Sequence, residues 1–117
     1  MSLQIDLMRH RSVLIVRLKG ELDHHTAESV KIKMEEAMRT GNVQSVILSL
    51  KGLEFMDSSG LGVILGRYKQ LASRGGKMIV CEMSDSVYRL FELSGLFKIL
   101  AIEQNESAAL SSLGVVS

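Results

Sequence analysis

Apolar segments of two different rhythms alternate along this chain, and that alternation admits few folds. The run Val13-Leu14-Ile15-Val16 is continuous and rich in β-branched residues, as a strand covered on both faces would be. An apolar segment at Leu3–Met8 precedes it. The short polar stretch His10-Arg11-Ser12 between the two predicts a hairpin. From there strand and helix patterns take turns. Ala27, Val30, Met34, Ala37 and Met38 recur at helical spacing, with Gly41 expected as a left-handed cap. Val46–Leu50 predicts a strand. Leu61, Ile64, Leu65, Tyr68, Leu71 and Ala72 form a second helical stripe, closed by Gly75-Gly76. Met78–Cys81 predicts another strand. Ser84 is placed to cap a helix carrying Val87, Leu90, Phe91 and Leu93 that stops at Gly95. Ile99–Ile102 is the expected last strand, and Asn105 the cap of a closing helix that runs through Leu113. A hairpin followed by strand–helix units implies a single α/β domain over residues 1–117, with a mixed, mostly parallel sheet packed with about four helices.

Composition narrows the function classes. Fourteen Lys and Arg against 13 Asp and Glu leave a formal charge of +1, which argues against a nucleic-acid binder with its basic excess. Hydrophobic residues supply 46% of the chain but aromatics only 4%, so the core must be aliphatic. With one cysteine, Cys81, no internal disulfide or multi-cysteine zinc site can form. Its place at the end of an apolar strand suits a small buried hydrophobe. Met1-Ser2-Leu3-Gln4 does not open a signal peptide, and no apolar run approaches the ~20 residues of a membrane span. A cytoplasmic location is expected, with no membrane partner.

In open α/β sheets, sites gather beyond the carboxyl ends of parallel strands. Two segments there are richer than simple connection requires, Lys19–Thr26 and Lys51–Gly60, and adjacent parent strands would merge them into one surface. In the second, Asp57-Ser58-Ser59-Gly60 stands where the stripe beginning at Leu61 starts. N-capping accounts for one of these three polar residues. A helix N-terminus also tolerates an anion, so a phosphate on Ser58 or Ser59 would fit there, bringing roughly −1.5 to −2 charges. Asp57 would oppose it by like-charge repulsion. Phe55 and Met56 are apolar residues in this polar segment, and folding back into the core is their usual fate.

Enzyme-like alternatives fare less well. Gly60, Gly62 and Gly66, with Glu82 after the next strand, resemble a nucleotide-binding turn, but the glycine spacing is off and a full dinucleotide fold needs two halves. A small nucleotide-binding module remains the alternative reading. No Gly-x-Ser-x-Gly elbow exists, which argues against a hydrolase. The adjacent imidazoles of His24 and His25 would point different ways, and no metal-ligand spacing is present, so helix capping is the simpler use of Asp23. No cofactor of its own is expected.

The stretch Phe55-Met56-Asp57-Ser58-Ser59-Gly60-Leu61-Gly62-Val63-Ile64-Leu65-Gly66-Arg67-Tyr68-Lys69 resembles the signature of the STAS family of anti-sigma factor antagonists. Gly20-Glu21-Leu22-Asp23-His24-His25-Thr26-Ala27 and Ser94-Gly95-Leu96-Phe97-Lys98-Ile99 resemble its other marks, so the likeness spans nearly the whole chain. The resemblance implies binding to a serine-kinase anti-sigma factor that holds a sporulation sigma factor inactive. The kinase, which binds the ATP and ADP, would phosphorylate the antagonist and release it, and a serine phosphatase would reset it. In the family the modified serine follows the aspartate, which implies Ser58. The same resemblance implies that Gly20, Glu21, Leu22, Asp23 and His24, together with Asp57, Ser59, Gly60 and Leu61, contact the partner.

Overall fold

The computed structural model describes residues 2–115 of the 117. Strands β1 (Leu3–His10) and β2 (Val13–Leu22) form the expected antiparallel hairpin, with Arg11 in the left-handed conformation at φ 58° in its turn. Three strand–helix units follow: α1 (Ala27–Thr40) to β3 (Ser45–Met56), α2 (Ser58–Ala72) to β4 (Lys77–Cys81), and α3 (Asp85–Ser94) to β5 (Ala101–Glu103). Helix α4 (Glu106–Ser112) closes the chain. The five strands lie in the order β1-β2-β3-β4-β5, and every pair after the hairpin is parallel. The mixed, mostly parallel α/β sheet expected from the sequence is therefore the one found.

The sheet separates two apolar layers. Val16, Leu18, Val46, Leu48 and Val80 pack on one face against Val30 and Met34 of α1, Ile64 and Leu71 of α2, and Phe91 of α3. Val13, Ile15, Ile47, Ile79 and Cys81 face the other way, against Ala109 and Leu110 of α4. Because β2, β3 and β4 are covered on both sides, they read as continuous apolar runs rather than as alternations. Helix α4 is fastened by a bidentate ion pair, in which Nε and Nη2 of Arg17 each donate to the Glu106 carboxylate at 2.7 Å. Asn105 caps the helix, its Oδ1 accepting from the Ala108 amide at 2.8 Å.

Several local expectations are corrected. Lys19–Leu22 and Lys51–Met56, expected as loop, are strand. The two extensions pair with each other, Gly20 with Leu53, Glu21 with Phe55 and Leu22 with Met56, across register shifts at Arg17/Lys19 and Gly20/Glu21. Backbone pairing between neighbours outweighs the weak strand propensity of Gly, Lys and Glu. Helix α2 starts at Ser58 rather than Leu61, since an N-capping residue fixes a helix start ahead of its first large apolar side chain. Gly41 is not left-handed (φ −138°); Asn42, at φ 44°, takes that role. The last strand is Ala101–Glu103. Ile99 and Leu100 finish the bend after the 3-10 turn Leu96–Lys98, a turn begun by the left-handed Gly95 at φ 79°. Leu93, placed on the helical stripe of α3, is 73% exposed, because Val87 and Phe91 already define the buried face.

Candidate functional site

The two segments singled out in the sequence meet because β2 and β3 are neighbours whose carboxyl ends run side by side. The Asp57 amide donates to the Leu22 carbonyl at 3.2 Å, carrying the pairing one residue past the strands. At the outer edge of β2, Gly20 adopts φ 113°, and a Cβ there would collide with the Ser2 carbonyl oxygen. Only glycine brings β2 this close to the start of β1.

Asp57 is the N-cap of α2. Its Oδ1 accepts from the Ser59 amide at 2.9 Å and the Gly60 amide at 3.3 Å, while its carbonyl takes the Leu61 amide at 3.3 Å. The helix start is thus already satisfied by a carboxylate, and its amides are not an open cradle for a second anion. Ser58 is the first residue of α2 and is exposed; Ser59 is half-buried. Gly60 is buried because the first turn presses on the strand ends. A Cβ on it would lie 2.7 Å from Met56 Cγ and 2.8 Å from Leu22 Cγ. Gly62 and Gly66 have open space where a Cβ would go. The three glycines weighed as a nucleotide-binding turn therefore do different things, and only Gly60 serves a close approach.

The other segment is built around Asp23, which is 3% exposed. Its Oδ1 accepts from the His25 amide at 2.9 Å and the Thr26 amide at 3.1 Å, and from the Thr26 hydroxyl at 3.3 Å. Burial alone would push the Asp23 carboxyl up, but these donors outweigh it and hold the group below its ordinary value. Asp23 therefore shapes the turn, while Thr26 is the residue that stands at the N-cap of α1. The Thr26 hydroxyl also donates to the Glu21 carbonyl at 2.8 Å, tying the turn to the end of β2.

Of the residues implied as partner contacts, Leu22, Asp23 and Gly60 lie beneath the surface and set its shape. Gly20, Glu21, Asp57, Ser59 and Leu61 are half-buried, while His24 and Ser58 are exposed. The apolar pair divides: Met56 enters the core, and Phe55 stays 45% exposed. Beside Phe55, a groove of about 210 Å³ runs between the end of β3 and the start of α3, lined by Glu54, Met56, Ser86, Val87 and Leu90. Phe55 was read as a residue that folds inward. The strand extension reverses that: the register shift at Gly20/Glu21 leaves Glu54 as an extra residue, which breaks the alternation after buried Leu53 and turns Phe55 outside and Met56 inside.

No group of three or more His, Cys, Asp or Glu among the described residues is placed to hold a metal ion. Cys81 is fully buried, and burial pushes its thiol up to about 11. Among the described residues, no helix is long and apolar enough to cross a membrane.

Comparison with known proteins places this surface in context. A model of the STAS domain matches residues 4–109. The chain is 56% identical over 117 residues to the anti-sigma F factor antagonist of Paenibacillus polymyxa, covering both chains fully. It is 36% identical to the anti-sigma F factor antagonist of Lysinibacillus sphaericus, across all of this chain and 99% of the relative. Among solved structures, it matches the anti-sigma factor antagonist SpoIIAA in its unphosphorylated form with a TM-score of 0.75 at 32% identity, covering 97% of this chain and 98% of the other. The phosphorylated form of the Bacillus cell fate determinant SpoIIAA matches with a TM-score of 0.74 at 34% identity, covering 96% and 99%.

Proposed function

The chain belongs to the STAS domain family, and within it we propose that this protein is an anti-sigma factor antagonist whose switch is phosphorylation of Ser58. The observation that carries the reading is the placement of Ser58: an exposed hydroxyl on the first turn of α2, flanked by the paired ends of β2 and β3. In its unphosphorylated form the protein docks this surface on a serine-kinase anti-sigma factor and frees a sporulation sigma factor. The kinase, which holds the ATP, then modifies Ser58, and a serine phosphatase restores the docking form. All of this proceeds in the cytoplasm with no cofactor bound by this chain.

The geometry supports a local mode of action. A phosphate on Ser58 would stand beside the Asp57 carboxylate, which already occupies the Ser59 and Gly60 amides. With the Ser59, Gly60 and Leu61 amides taken by Asp57, its charge projects outward. It then acts by repulsion and bulk at the interface. The nearly equal match of this chain to the phosphorylated and unphosphorylated SpoIIAA structures agrees with a switch that leaves the fold in place. Glu21 is the acid best placed to meet basic residues of the kinase, whereas the Asp23 carboxylate is turned into its own loop.

Incubation with the kinase anti-sigma factor and ATP, followed by mass-spectrometric site mapping, tests the assignment. A single phosphate on Ser58, absent from Ser58→Ala, is expected; modification at Ser59, or none, would overturn it. The nucleotide-binding alternative has little geometric support, since the glycines after β3 do not leave the helix amides open. Titration of the isolated chain with ATP or GTP is expected to show no tight binding.

A further inference from the structure

Arg67 is the one buried basic residue among the described residues, and the proposed switch gives it no part. It sits on the inner stripe of α2 between Ile64 and Leu71 and is 7% exposed. Its Nη2 pairs with Oε2 of Glu35 on α1 at 3.4 Å, the one ion pair between these two helices among the described residues. Nε and Nη1 are sealed from solvent and have no hydrogen-bond partner there. A methionine or leucine would fill the same stripe without leaving two donors idle, and apolar replacement of a buried ion pair is commonly neutral or stabilising. Stability therefore gives no reason for an arginine at this position. Geometry does. Helices α1 and α2 cover the same face of the sheet, and both return from the carboxyl ends of parallel strands, so they run side by side in one direction. Glu35 is the ninth residue of α1 and Arg67 the tenth of α2, about 12 Å and about 14 Å along the axes from the helix starts. The pair thus joins the helices at nearly equal depth below their N-termini. Those N-termini carry the two segments of the candidate surface, since α1 begins directly after Thr26 and α2 begins at Ser58.

We propose that the Arg67–Glu35 pair is a register lock that sets the axial position of α2 against α1, which makes Arg67 a positioning residue for partner docking. The apolar side chains that the two helices give to the shared core, among them Val30, Met34, Ile64 and Leu71, attract without direction and tolerate small sliding. An arginine that meets a single carboxylate does so at one register, and fixing register is the best-attested use of a buried polar group that adds little stability. With the lock in place, the Glu21–Thr26 turn and the first turn of α2 stand at a fixed relative height, and a rigid partner meets both at once. Where the lock is lost, the partner must select that arrangement from several, and its affinity falls accordingly. The effect on docking rests on the function proposed above; the lock itself does not.

The test pairs two measurements on the full chain. In the free chain, Arg67→Met is expected to shift the NMR amide resonances at both helix starts, Ala27–Val30 and Ser58–Leu61, while its urea midpoint stays unchanged or rises. Shifts confined to the turn around position 67 would overturn the lock, whatever the chain docks. Titrated with the kinase anti-sigma factor, Arg67→Met and Glu35→Ala are each expected to bind about tenfold more weakly than the wild type. The double variant is expected to bind no more weakly than either, as for residues that act as one unit. Affinity within about twofold of the wild type in both single variants, or losses that simply add, would also overturn the inference. Where Arg67→Met does not fold, Glu35→Ala decides alone by the same two measurements, since Glu35 is only partly buried. A wild-type chain that fails to dock the kinase, while the variant shows shifts at both helix starts, refutes the proposed function and supports the lock.

Discussion

Gly60 and Gly62 lie two positions apart on one helix, yet the structure asks opposite things of them. A Cβ on Gly60 would press on Met56 and Leu22, so Gly60→Ala is expected to destabilise by about 1–2 kcal/mol. Gly62 faces open space in a helix interior, so Gly62→Ala is expected to stabilise by up to about 1 kcal/mol. Urea unfolding of the pair measures both; equal shifts would refute the packing argument. Asp57 presents a similar contrast with its neighbour. Removing the two-amide cap in Asp57→Ala is expected to cost about 1 kcal/mol, while Ser58→Ala leaves stability nearly unchanged, since the exposed Ser58 hydroxyl holds nothing in the fold. Both glycines and the cap were visible in the sequence. Which glycine is indispensable was not, because that depends on which strand ends lie beneath.

At the scale of elements, α4 covers the second face of the sheet with one short helix and one ion pair. The Glu106 carboxyl is held below its ordinary value, chiefly by the hydrogen bond from Arg17. A lowered folded-state value means that the stabilisation is complete above the unfolded carboxyl range and is lost as pH falls through the folded one. Asp23 contributes in the same direction. Glu106→Gln is therefore expected to flatten the acid limb of stability below about pH 4.5 and to cost no more than about 1 kcal/mol at neutral pH, the pair being partly exposed. Thermal unfolding as a function of pH checks this, and an unchanged acid limb would rule the pair out as its source. The sequence placed α4 and its Asn105 cap correctly. The Arg17–Glu106 pair spans 89 positions and exists only once β2 and α4 are stacked.

For the molecule as a whole, the near-zero net charge conceals an arrangement. Arg9, Arg11, Arg39, Arg74 and Lys77 gather where the parallel strands begin and the first two helices finish, while Glu21, Glu54, Asp57 and Asp85 lie at the other end with Ser58. A phosphate on Ser58 thus adds charge to the acidic end. It is expected to weaken docking while leaving the far end untouched. Amide exchange of the modified and unmodified protein is expected to differ only around Gly20–Thr26 and Asp57–Val63. Loss of protection across β3 and β4 would mean refolding instead.

The sequence by itself determined the order and type of the elements, the caps at Ser84 and Asn105 and the stop at Gly95, because these rest on local periodicity and on hydrogen bonds within a few residues. Only the tertiary structure decided that the two site segments are paired strands, that Asp23 is turned inward and Phe55 outward, and that Arg67 is buried on the apolar stripe of α2. A lone arginine at that spacing was the one available signal for the last of these. Each of these outcomes depends on which distant element covers a residue, and hydrophobic rhythm along the chain carries no information about that partner.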